Sequence, residues 1–149
     1  EGTFALRLHP ALRPKGDVAR GTAMNSEGDG AIWGKRARWV DYWGPVPHAG
    51  EDHVLGVAVL DHPENLRHPT WWHARDYGLV GANPFGVHDF ERKPKGTGDH
   101  ALAEGETLRL RYRVLLHEGP GSAHAIEGHW REWAGMRPKA EPAGENGDH

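Results

Sequence analysis

The stretch His68-Pro-Thr-Trp-Trp-His-Ala-Arg-Asp-Tyr77 gathers two His, two Trp, an Arg–Asp pair and a Tyr within ten positions, and Asn83-Pro-Phe-Gly86 follows shortly after. Read as extended chain, Trp71, His73, Arg75 and Tyr77 share one face and Trp72, Ala74 and Asp76 the other. An aromatic floor carrying an imidazole and a guanidinium suits a sugar. Ring C–H faces pack on indole or phenol, hydroxyls bond to Arg and His, and His moves a proton near neutral pH. The residues read for proton transfer are His73, with Asp41 or Asp76 to orient it. Those read for substrate binding are Arg75, Trp71, Trp72, Tyr77, His68, Asn83 and Arg36.

A plainer account competes with this one. Trp71 and Trp72 are then core, Arg75 and Asp76 form ion pairs at a sheet edge, and Asn83 shapes its own turn. Strand parity sets Asp76 opposite His73, so Asp41 is the better partner if neighbouring strands bring the two together. The cluster Gly34-Lys-Arg-Ala-Arg38 lies in an acidic molecule and fits a carboxylate better than a phosphate. No metal is expected: His62, His68, His73 and His88 follow none of the spacings that ligate one. No nucleophile elbow, Walker loop or dinucleotide fingerprint occurs, and the cofactor is left unknown.

Composition narrows the classes. The 149 residues favour one domain; 21 Gly and 11 Pro imply many turns, and the formal net charge of −3 offers no field for nucleic acid. Without cysteine, disulfides and thiolate chemistry are excluded. The longest apolar run, Val54 to Leu60, is far below the roughly 20 residues that span a bilayer, so no membrane partner is expected. Localisation is unread, because no signal-peptide pattern precedes Thr3 and the start reads as a fragment boundary.

The elements that must position these residues read as mainly β. Phe4, Leu6 and Leu8 alternate with Ala5, Arg7 and His9; a strand is expected over about 36 to 43, stopping at Gly44-Pro45, and another over Val54 to Leu60. Residues Pro14 to Gly30 read as loop. Over Thr107 to Leu116, Leu108, Leu110, Tyr112, Val114 and Leu116 form an inward face and the arginines an outward one. Ser122 caps a helix with Ile126, Trp130 and Trp133 on one face, the only real helix expected. One domain over 1–136 and a disordered polar tail over 137–149 complete the expectation.

Several stretches together resemble a known family: Glu1-Gly-Thr-Phe4, Gly34-Lys-Arg-Ala37 with Trp39-Val-Asp-Tyr42, Asp61-His-Pro63, His68-Pro-Thr70, Trp72-His-Ala-Arg-Asp-Tyr-Gly78 and Ala82-Asn-Pro-Phe-Gly86. This is the DUF6807 family, often labelled "methane oxygenase PmoA". The resemblance covers residues 1 to about 117. It implies an antiparallel β-sandwich similar to part of a galactose mutarotase-like supersandwich, and a carbohydrate-active protein of hydrolase, lyase or epimerase type. A non-catalytic carbohydrate-binding sandwich is the alternative. The resemblance also implies chains about twice as long, so that an N-terminal half of the fold is a missing partner. Trp43 and Arg38 depart from the family pattern. The oxygenase label conflicts with the lack of any spanning segment.

Overall fold

A computed structural model describes residues 2–135. Two antiparallel sheets face each other. The three-stranded sheet is ordered β1 (Phe4–Arg7), β6 (Leu79–Ala82), β5 (Trp72–Ala74). The four-stranded sheet is ordered β2 (Thr22–Asn25), β3 (Trp39–His48), β4 (Glu51–Asp61), β7 (Tyr112–Glu118). A one-turn helix α1 (Val87–Phe90) and the longer α2 (Ala123–Trp133) complete the elements, with a short 3-10 turn at Pro10–Leu12.

Alternation along the strands divides the side chains into two packed layers. Val40, Tyr42, Val57 and Val59 meet Trp72, Val80 and Ala82 between the sheets. Trp39, Ala58 and Leu60 point the other way and are covered by Ile126 and Trp130 of α2. Ser122 caps α2 as its sequence suggests, with Oγ accepting from Ala125 N at 3.3 Å. No described helix is long and apolar enough to cross a membrane.

Four expectations are corrected. The strand expected over 36 to 43 begins at Trp39 and continues through Gly44 and Pro45 to His48. Proline is tolerated there because β3 keeps β4 as its only partner beyond Trp43, where β2 ends. Gly44 fits for a separate reason: a Cβ would lie 2.8 Å from Ala11 O and 2.9 Å from Gly21 Cα. Thr22–Asn25, read as loop, is a strand held by β3. The final strand spans Tyr112–Glu118, not 107 to 116, and its supposed inward face is open: Val114 is 40% and Leu116 82% exposed. The fourth correction is α1, a helix where none was expected before α2. The tail expected over 137–149 lies outside the described residues.

Candidate functional site

The turn Gly30 to Lys35 is locked to β5 by two backbone bonds, Gly34 N to Trp72 O at 2.8 Å and Trp72 N to Lys35 O at 3.0 Å. This places Trp33 beside the start of the β5–β6 hairpin. Past Ala74 the chain turns, with Gly78 N bonded to Arg75 O at 2.9 Å and Gly78 in the left-handed region at φ +91°. Asp76 and Tyr77 therefore sit in a turn rather than on an extended strand.

Between these two turns and the body of the sandwich opens a cleft of about 350 Å³. Its floor is Ala23, Ile32, Tyr42 and Ala74, and its rim carries Trp33, Lys15, Arg75 and Asp76. Trp33 is 44% exposed, and the Arg75 guanidinium lies 5.7 Å from its ring centroid. Arg75 is held there by donating through Nε to His73 Nε2 at 2.9 Å. Phe90 lies edge-on to both Trp33 and His73. Tyr42 is buried at the floor, and burial pushes its phenol far above the ordinary value. Trp33 and Tyr42 escaped the sequence reading of the site, although a lone Trp bracketed by Gly30 and Gly34 is the signal of an aromatic held on a turn.

Other expected ligand contacts have different work. Trp72 is fully buried between the sheets and donates from Nε1 to Ala37 O at 3.0 Å. Trp71 is also buried, under the Arg36 guanidinium 4.3 Å from its ring, and bonds Glu91 Oε1 at 3.1 Å. Neither indole is a stacking platform, because its faces are already packed. Arg36 ties down the loop before β5 through Pro69 O and Arg67 O. Asn83 Oδ1 accepts from Phe85 N and shapes its own turn. Tyr77 is half exposed beneath Arg7.

Asp41 does not meet His73. Val40 and Tyr42 point into the inter-sheet core, so Asp41 faces outward on the four-stranded sheet, while His73 faces outward on the other. Asp41 instead bonds His117 Nε2 at 2.9 Å through Oδ1, fully buried, with Oδ2 left unpartnered among the described residues. Gly56 and Gly121 make room for this pair: a Cβ at either would lie 2.1 Å from the His117 ring or 2.3 Å from Asp41 Oδ2.

A second carboxylate–imidazole pair lies at the end of β4. Buried Asp61 bonds His68 Nδ1 at 2.7 Å, Asn65 Nδ2 at 2.7 Å and Thr70 N at 2.9 Å. The His68 ring stacks on Trp130, whose Nε1 donates to Asp61 O at 2.8 Å. Such a bond fixes the orientation of the imidazole ring. Here it also binds the Asp61–Thr70 loop to both the sheet and α2. Neither pair lines the Arg75 cleft. Among the described residues no group of three or more His, Cys, Asp or Glu converges to hold a metal ion.

A family model described as "Family of unknown function (DUF6807)" matches residues 1–131. No curated protein and no solved structure matches the chain.

Proposed function

We propose that this chain, which belongs to the DUF6807 family, binds a saccharide in the cleft between Trp33 and Tyr42, with Arg75 orienting it. The family carries no assigned activity, so the reading rests on geometry and chemistry. One observation carries it: an open cleft with Tyr42 at its floor and, at its rim, a guanidinium set over an exposed indole. A phenol hydroxyl at the floor offers a ligand hydroxyl a partner that can both donate and accept. The indole supplies the apolar face that sugar C–H groups need, and the cleft volume falls in the range of small-molecule sites.

The geometry favours recognition over turnover. His73 spends its Nε2 lone pair on Arg75, so it orients the guanidinium rather than abstracting a proton. Asp41 is on the far side of the sandwich, which leaves Asp76 as the one carboxylate lining the cleft among the described residues. A hydrolase, lyase or epimerase built on this cleft would draw its base from the N-terminal half that the family resemblance implies.

Calorimetric titration with a panel of neutral and acidic saccharides tests the proposal. Binding that weakens at least about tenfold in both Trp33→Ala and Arg75→Ala supports it. No binding by any sugar, or binding that both variants retain, overturns it.

A further inference from the structure

The flank away from the cleft is open. β7 ends the four-stranded sheet and β1 ends the three-stranded one. They lie at the same flank, because Phe4 stacks on Tyr112 at 5.5 Å and Thr3 Oγ1 meets the Tyr112 hydroxyl at 2.6 Å. Past Tyr112 this cover stops, and Leu116 stands 82% exposed beside a hollow of about 510 Å³ walled by Leu12, Val46, Leu55 and Val57. Exposed apolar surface of this kind, continuous along a sheet edge, marks an association site.

The backbone on this edge is also unpaired. Arg111 O accepts from His62 N and Gly119 N donates to Val54 O, so the odd-numbered residues of β7 bond toward β4. The N–H and C=O groups of Tyr112, Val114, Leu116 and Glu118 therefore point outward from the sheet. No proline or lysine interrupts the strand.

We propose that a second copy of this chain docks here, β7 against β7 in antiparallel register about a two-fold axis at Leu115. The register is self-complementary. It sets Val114 of each copy opposite Leu116 of the other, keeps like faces together, and joins the two four-stranded sheets into one. Charge agrees with it. Arg109 and Arg113 mark the start of the strand, while Glu118 at its end lies beside the β3–β4 hairpin that carries Glu51; Arg111 and Asp52 are already paired within the chain, to Glu64 and Arg20. Antiparallel pairing brings the basic end of each copy to the acidic end of the other. The proposal is independent of the saccharide cleft, whose lining shares no residue with this hollow.

Sedimentation velocity of the 149-residue chain over a concentration series tests it. The expected result is a reversible dimer that Leu116→Glu weakens by at least about a hundredfold, with an unchanged circular dichroism spectrum because the side chain is already exposed. The chain has no cysteine, so Leu115→Cys alone should form a covalent dimer under mild oxidation, the two Cα atoms being about 4.5 Å apart in this register. A monomer at every concentration overturns the proposal. So does a dimer that Leu116→Glu leaves intact.

Discussion

Arg75 donates through Nε to His73 Nε2 across 2.9 Å, and this bond sets the guanidinium over Trp33 at the lip of the cleft. His73 Nε2 is here the acceptor for a cation's N–H. Arg75→Ala is expected to weaken saccharide binding at least about tenfold, and His73→Ala by a smaller factor of about three, since the guanidinium then loses its orientation but not its charge. Both variants should keep the melting temperature within a few degrees, which thermal melts beside the titrations will check.

Asp61 concentrates structural consequences in one buried carboxylate. Asp61→Ala leaves His68 Nδ1 and the Thr70 N–H without this partner at once and removes one of the two acceptors of Asn65 Nδ2, which keeps Arg111 O. The expected loss is about 3 kcal/mol in chemical denaturation, enough to separate it from any surface variant.

Two glycines give opposite expectations for the same change. A Cβ at Gly121 would lie 2.3 Å from Asp41 Oδ2 and 2.5 Å from the Trp43 ring, so Gly121→Ala should cost about 2 kcal/mol. At Gly128, inside α2, nothing lies within 4 Å of the new methyl, and Gly128→Ala should stabilise by about 0.5–1 kcal/mol. Denaturation midpoints of the two variants, compared at equal slope, decide the matter.

Acid should loosen the contacts of α2 in two stages. Burial first, and then the charge of Arg111, hold His62 below its ordinary value of 6.5, edge-on to Trp133. The unfolded chain takes that proton more readily. Its contribution is therefore full above pH 6.5 and declines as pH falls from there toward the lowered folded value. Burial alone would raise Glu127, but bonds from Trp39, Arg131 and Arg38 outweigh it and hold the carboxyl below its ordinary 4.5. Its contribution is present above 4.5 and is lost as pH drops through the lowered folded value. Melting curves taken downward from pH 7.5 should show the upper decline, and His62→Gln should flatten that part alone.

How much of this was legible beforehand depends on the range of the interaction. Period-2 alternation marked β1, a short continuous apolar run marked Val54 to Leu60 within β4, and Ser122 marked the start of α2, because these signals are local. Gly44-Pro45 misled, since only the position where β2 ends explains why a strand tolerates proline there. The inward face of β7 failed for a related reason. Its alternation is real, but sequence does not say how far the opposite sheet extends, and β1 covers only Tyr112.

The candidate site divides the same way. His73 and Arg75 emerge side by side as period-2 geometry requires, while Asp41 finds His117, 76 positions away, through a register that no local pattern encodes. Trp71 and Trp72 were conspicuous by type, yet the indole at the cleft is Trp33, set there by two backbone bonds from a turn to β5.

The most direct test of the central claim is the calorimetric affinity of Tyr42→Phe beside the unaltered protein. The change removes one oxygen from the cleft floor and leaves the ring packed between the sheets. If a saccharide hydroxyl pairs with that phenol, affinity should fall about tenfold while thermal stability is unchanged. An equal affinity in the two proteins would contradict the account.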